Sequence, residues 1–369
     1  MKKKAFVTTL MVALAGAALV SCGKKTYEIA LVTDVGTIND KSFNQGAWEG
    51  VQAYAKEHNI SYKYYQPEEK STEKYVESAE VAIKNGAKVV VTPGFLFENA
   101  VWTLQTAHPD VKFILLDGAP HNVTDWDTMA TVDGSEADFT VKENVYSIFY
   151  AEQEAGFLAG FAAVKEGFRK LGYMGGMSVP AVVRFGTGYI EGAMAAADEL
   201  GLEDGEVTMK FTYLNSFLPE EQHQTLSTSW FGTGTEVIFA AAGGAGSSVM
   251  AAAEKLENKW VIGVDVDQSS ESRTVLTSAV KGLKSSVIQT LEKIYANEKG
   301  GESVTLDAKV DGVGLPNDFS RFKNFTQEDY EAVFAKVKDG TYAPVFHPNG
   351  DGLDYKAIGG TRVPVDYIE

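Results

Sequence analysis

From Tyr27 onward the chain alternates between short runs of β-branched and aliphatic residues and longer stretches with apolar residues at helical spacing. The runs 28–33, 61–66, 88–92 and 112–116 have the length and composition of strands, and the stretches 44–58, 72–85 and 98–108 carry the period of helices. Regular strand–helix alternation predicts a parallel sheet covered on both faces. The pattern restarts after Asn144 with a long helix reaching about 166, followed by strands near 171–174, 207–213, 236–241 and 260–264.

Two doubly wound parallel-sheet lobes of the α/β class are therefore expected, and some 340 residues are more than one core usually holds. A tail follows the second sheet: an apolar run at 275–278, a helix over 286–297, a strand near 304–309 and a last helix over 326–339. Its extra elements predict a chain that crosses back to the first lobe and then returns. The expected division assigns 27–143 and 268–311 to the N-terminal lobe, and 144–267 and 312–369 to the C-terminal lobe.

The first 21 residues stand apart from this alternation. Lys2, Lys3 and Lys4 precede an apolar run from Ala5 to Val20, which is the organisation of an export signal. The run ends in Leu19-Val20-Ser21 directly before Cys22, the only cysteine, a pattern that marks Cys22 for lipidation and leaves 22–26 as a tether. With that cysteine consumed, neither a disulfide framework nor thiol catalysis remains. Without the three leader lysines the formal charge of −17 becomes about −20. Such acidity excludes nucleic acid as a partner and leaves membrane attachment to the lipid.

Ligands of open α/β sheets bind beyond the carboxyl ends of the strands, so the residues there are the candidates. The first strand leads into Asp34, Asp40, Lys41, Ser42, Phe43, Asn44 and Gln45. Ser42 or Asn44 either caps the following helix or meets a ligand. Phe43 is a large aromatic in a polar loop and must cover its face, on the core or on a flat ligand. Asp117 and Asp265 end strands in the two halves. Each caps a turn or accepts from vicinal hydroxyls. Phe217 and Phe185 follow second-half strands, Gly243 lets a backbone approach closely, and Lys281 lies where the chain crosses between lobes, either as a donor or as a solvated lysine.

No Gly-x-Gly-x-x-Gly, phosphate loop or Gly-x-Ser-x-Gly is present, and His58, His108, His121, His223 and His347 lack metal-ligand spacing. The expectation is a binding protein with no cofactor and no metal. A hydrolase or phosphorylase using Asp34 and Asp265, and a surface sensor or adhesin, are the alternatives.

The segments Asp40-Lys41-Ser42-Phe43-Asn44-Gln45, Phe113-Ile114-Leu115-Leu116-Asp117, Glu154-Ala155-Gly156-Phe157-Leu158-Ala159-Gly160, Ala242-Gly243-Gly244-Ala245-Gly246 and Ile262-Gly263-Val264-Asp265-Val266-Asp267-Gln268 together carry a likeness. The chain resembles the basic membrane protein family of nucleoside-binding lipoproteins, of the purine nucleoside receptor type. The resemblance implies a type I periplasmic-binding-protein fold with a three-crossover hinge and a monomer anchored outside the cytoplasm. It further implies a guanosine, inosine or adenosine ligand passed to an ABC permease and its ATPase. It assigns Asp34 and Asn44 to the base, Phe43 and Phe217 to an aromatic sandwich, Asp265 to the ribose hydroxyls, and Asp117, Gly263 and Lys281 to further contacts. The family's name says basic, whereas this chain is acidic.

Overall fold

The computed structural model describes residues 26–34, 36–350 and 352–368, so Cys22 and the leader lie outside the described residues. The chain begins with β1 (Ile29–Val32), α1 (Phe43–Glu57), β2 (Tyr62–Tyr65), α2 (Thr72–Lys84), β3 (Val89–Pro93), α3 (Glu98–Ala107) and β4 (Lys112–Leu116). A small hairpin, β5 (Val123–Asp125) and β6 (Ala130–Thr131), precedes β7 (Val145–Tyr150). The second lobe is built from α4 (Glu152–Glu166), β8 (Lys170–Gly175), α5 (Pro180–Glu199), β9 (Thr208–Tyr213), α6 (Glu221–Gly232), β10 (Val237–Ala241), α7 (Gly246–Ala253), β11 (Trp260–Asp265) and β12 (Val275–Lys281). The chain then returns through α8 (Leu283–Tyr295) and β13 (Ser303–Leu306), and ends with β14 (Val313–Gly314), α9 (Gln327–Lys338), α10 (Tyr355–Gly359) and β15 (Val365–Tyr367).

The first sheet runs β13-β7-β4-β3-β1-β2 and is parallel throughout. The second runs β14-β12-β11-β10-β8-β9-β15 and is parallel except for β14. β1, β3 and β10 are buried along their whole length, as expected of strands covered on both faces. Helices α1 and α8 cover one face of the first sheet and α2 and α3 the other; α4 and α5 cover one face of the second, α6 and α7 the other. The core under α1 and α8 is continuous with that under α4 and α5, so the lobes share packing at the hinge. This is the type I periplasmic-binding-protein fold.

Three crossings join the lobes: Ala151 between β7 and α4, Gly282 between β12 and α8, and residues 307–312 between β13 and β14. The sheets divide the chain differently from the expected boundaries at 144 and 268. Val145–Tyr150, expected as the start of a helix, is a strand between β4 and β13 of the first sheet. It runs into α4 with only Ala151 between them, so no glycine, proline or asparagine marks the join. Val275–Lys281, expected in the first lobe, pairs along β11, and the return crossing comes only after Lys281.

Helices α4 and α5 lie backbone against backbone. A Cβ on Gly156, Gly160, Gly188 or Gly192 would come within 1.9–2.2 Å of a carbonyl oxygen of the facing helix, so glycine at these four positions sets the approach. Among the described residues no helix is long and apolar enough to cross a membrane.

Candidate functional site

Strand order reverses at β1 in the first sheet, with β2 on one side and β3 on the other, and at β8 in the second, with β9 and β10 on its two sides. Such reversals open a crevice beyond the strand ends. In the first lobe Asp34 follows β1, and its Oδ2 would lie 3.3 Å from a Cβ on Gly94, just after β3. In the second lobe the Phe217 ring rests on Gly176 and Gly243, which follow β8 and β10. A Cβ would stand 2.3 Å from the ring at Gly176 and 3.4 Å at Gly243. The two crevices form the walls of one cleft of about 320 Å³, within the range of small-molecule sites.

On the first-lobe side, Asp40 caps α1, accepting from the backbone N–H groups of Ser42, Asn44 and Gln45 at 2.9, 2.9 and 3.1 Å. The cap expected of Ser42 or Asn44 is thus supplied by an acid three residues before the helix, whose second oxygen also takes the Asn44 amide. That amide donates to Asp34 Oδ1 as well, at 2.8 Å, and the Asn44 oxygen accepts from the Asp34 N–H. Asn44 therefore orients Asp34 and has little capacity left for a ligand. Burial pushes the Asp34 carboxyl up to about 6, against the hydrogen bonds from Gly36 and Asn44 that favour its charge. The freed hydroxyl of Ser42 reaches the second lobe behind the cleft and donates to Asp265.

Asp117 follows β4 and Asp265 ends β11, with φ of 56° and 67°, a left-handed turn that Asp tolerates better than most residues and that aims each side chain away from its strand. Lys281 ties them together: its Nζ lies 2.5 Å from Asp117 Oδ2, 2.9 Å from Glu152 Oε1 and 4.0 Å from Asp265 Oδ1. The same ammonium stands 4.9, 5.3 and 5.4 Å from the ring centres of Phe43, Tyr150 and Phe185. Glu152 in turn accepts from Arg184 Nε at 2.6 Å. Burial raises Asp117 and Asp265, and Lys281 pulls both back. Burial would raise Glu152 too, but Lys281 and Arg184 outweigh it and hold the group below the usual carboxylate range. Burial works against the Lys281 charge, and the three carboxylates restore it and raise the group. Asp117 Oδ1 is buried without a hydrogen-bond partner, an acceptor open to a ligand donor.

Of the residues singled out by sequence, Asp34, Phe43, Asn44, Asp117, Phe185, Phe217, Gly243, Asp265 and Lys281 line the cleft. Ser42 and Gly263 lie behind it. Ser42 is fully buried on Asp265, while a Cβ on Gly263 would meet Gln268 Oε1 at 2.5 Å and Ser278 Oγ at 2.6 Å, so this glycine makes room for protein side chains. Sequence reasoning missed Gln268, whose amide donates to the Lys41 carbonyl at 2.7 Å and so fastens the first-lobe loop to the second lobe. Glu152 and Arg184 were also missed. They sit on helices, where charge ordinarily reads as surface, and their only sequence signal was placement in the first two turns after a strand or loop. Among the described residues no group of three or more His, Cys, Asp or Glu is arranged to hold a metal ion.

The chain is similar to the ABC transporter nucleoside-binding protein BmpA of Lactococcus lactis subsp. cremoris, 30% identical over 338 residues that span 85% of this chain and 87% of that protein. It is also similar to the CD4+ T-cell-stimulating antigen of Listeria innocua, 26% identical over 92% of this chain and 98% of that protein. Among solved structures, an ABC transporter solute-binding protein from Aeropyrum pernix superposes with a TM-score of 0.71 at 22% identity, covering 88% of this chain and 95% of that one, a likeness of fold. The family of PnrA-like ABC transporter substrate-binding proteins, Bmp, matches residues 27–341. This chain belongs to that family, and it is a substrate-binding protein of an ABC transporter rather than an enzyme.

Proposed function

We propose that the chain captures a purine nucleoside between its lobes and delivers it to an ABC permease and its ATPase, held outside the cytoplasm by a lipid on Cys22. The observation that carries this reading is the placement of Phe43 and Phe217, one from each lobe, in a single cleft. Aromatic faces brought in from both sides suit a flat base, and closing the lobes brings them onto it. Asp34 offers a buried acceptor on the first-lobe side, which favours a base edge rich in N–H donors such as guanine or hypoxanthine. Asp117, Asp265 and Lys281 form a separate polar group suited to ribose hydroxyls. The Lactococcus relative is named for nucleoside binding, which supports the same ligand class.

Calorimetry with inosine, guanosine and adenosine tests this directly, alongside mass spectrometry of whatever small molecule copurifies. Phe43→Ala or Phe217→Ala should weaken nucleoside binding by about 1–3 kcal/mol, the stacking and burial of one ring face. Parent-like binding by both variants would make these rings core residues only. Incubation with inosine should release no hypoxanthine. The anchor has its own test: the parent should fractionate with membranes and carry a diacylglyceryl mass at Cys22, and Cys22→Ser should not. A Cys22→Ser chain that is still processed and membrane-bound defeats the lipid assignment.

A further inference from the structure

We propose that Glu152, which does not line the cleft, is the positioning residue that holds the Lys281 ammonium at the ligand, and that Arg184 holds Glu152 in turn. This rests on the reading of the cleft as a nucleoside site. Lys281 is the last residue of β12, just before the second crossing, and Glu152 is the first residue of α4, just after the first crossing. A lysine ammonium on its four-carbon stem has several places to go in such a cleft, with Asp117 and Asp265 both in reach. Glu152 fixes it from behind. Its Oε1 is 2.9 Å from Nζ in a buried ion pair and makes no hydrogen bond, while its Oε2 takes the Arg184 Nε–H at 2.6 Å. The Phe346 ring, 5.1 Å from the Arg184 guanidinium carbon, covers the far end of the chain of charges.

Glu152 is fully buried and Arg184 is 4% exposed. Groups so buried are costly to desolvate, and well-packed apolar residues in their place are often neutral or stabilising. An ion chain retained at this depth, ending on a cleft lysine, therefore fits a role in binding better than one in stability. The chain of charges also spans both lobes. Asp117 belongs to the first lobe and Arg184 to the second, and Glu152 and Lys281 adjoin two of the three crossings on the second-lobe side. Lys281 reaches its ligand-facing position only when all three partners are in register, so the ordering cost of the lysine is met before the ligand arrives.

The test uses the full mature chain and compares the parent with Glu152→Gln. Without ligand, the parent should show a slowly exchanging Lys281 ammonium signal by nitrogen-15 NMR, and the variant should lose it. Inosine affinity should fall about 10–100-fold while affinity for hypoxanthine, which lacks the sugar, changes by less than about threefold. The pH profile should move as well. Asp117 faces Lys281, Glu152, Arg184 and Tyr150, with Asp265 across the ammonium; burial and Glu152 raise it, while Lys281 and Arg184 lower it. Removing the Glu152 charge lowers it, so the acid-side loss of inosine affinity should shift to lower pH. A purely structural glutamate would lower the melting temperature and weaken inosine and hypoxanthine alike, and would leave the Lys281 ammonium signal in place. If Glu152→Gln does not fold, Arg184→Lys decides, with the inosine-to-hypoxanthine ratio expected to fall. An ammonium signal retained in the variant, or an unchanged ratio, overturns the proposal. A parent that binds no nucleoside would instead defeat the functional reading, and the NMR comparison would still decide whether Glu152 positions Lys281.

Discussion

Asp265→Ala should raise the dissociation constant for inosine or guanosine by about 30–1000-fold, corresponding to some 2–4 kcal/mol, and should do much less to the free base. The carboxylate is 7% exposed, accepts from Ser42 of the opposite lobe and stands 4.0 Å from Lys281. On the proposed nucleoside reading, ribose hydroxyls donated to it in a closed cleft would be left buried and unpaired by alanine, and that penalty belongs only to the sugar. Calorimetry with inosine and hypoxanthine on one preparation reads the difference. Burial already works against the Asp265 charge, so its removal should leave the unliganded melting temperature within a few degrees of the parent. Retention of the full preference for nucleoside over base would reduce Asp265 to a turn residue.

Lys281→Met should act on stability as strongly as Asp265→Ala acts on affinity. It removes the cation that pairs with Asp117, Asp265 and Glu152, leaving Glu152 with Arg184 alone and the two buried aspartates uncompensated. Breaking a buried pair from one side costs about 3–5 kcal/mol. The sign of the pH dependence follows from the carboxyls. Burial raises Asp117 and Asp265 in the folded chain, and loss of Lys281 raises them further, so the folded variant takes up protons more readily than the unfolded chain as pH falls. Its deficit should be largest near pH 8 and should shrink toward pH 5 as these acids are neutralised. Calorimetric melting of parent and variant across that range checks it, and a deficit independent of pH would mean that Lys281 contributes packing alone.

The lobes were legible because parallel strands buried on both faces write themselves as short aliphatic runs, as in Ile29–Val32 and Val89–Pro93. The same signal failed where no turn residue separated a strand from its helix. Val145–Tyr150 runs through Ala151 into α4, and an apolar run alone does not tell the two apart. The return crossing was misplaced for a related reason: nothing in Val275–Lys281 distinguishes a strand of the second sheet from one of the first, because which sheet a strand joins is decided by neighbours far away in sequence. At the site, residues that end strands were found by position, since a carboxylate or ring after a β-run must face the crevice. Asp117, Asp265 and Phe217 are of this kind. Roles set by partners in space were not legible. Asp40 took the cap expected of Ser42 because its two oxygens reach three backbone N–H groups, and Ser42 was then free for a partner 223 residues away.

The glycine-lined contact between α4 and α5 has a mechanical consequence. Two helices whose backbones touch at Gly156, Gly160, Gly188 and Gly192 leave no clearance for sliding or tilting, so the pair behaves as a solid axle fixed in the second lobe. Glu152 rides on the end of that axle beside Ala151, and Arg184 on its other member. Rotation of one lobe against the other must then be taken up in a few backbone torsions, at Ala151, at Gly282 and in the Asp307–Gly312 segment, where Asp311 already holds a φ of 55°. Opening and closing are thereby geared to three short joints around a rigid shaft, and a change of packing along the shaft, far from any ligand, would alter how wide the cleft swings.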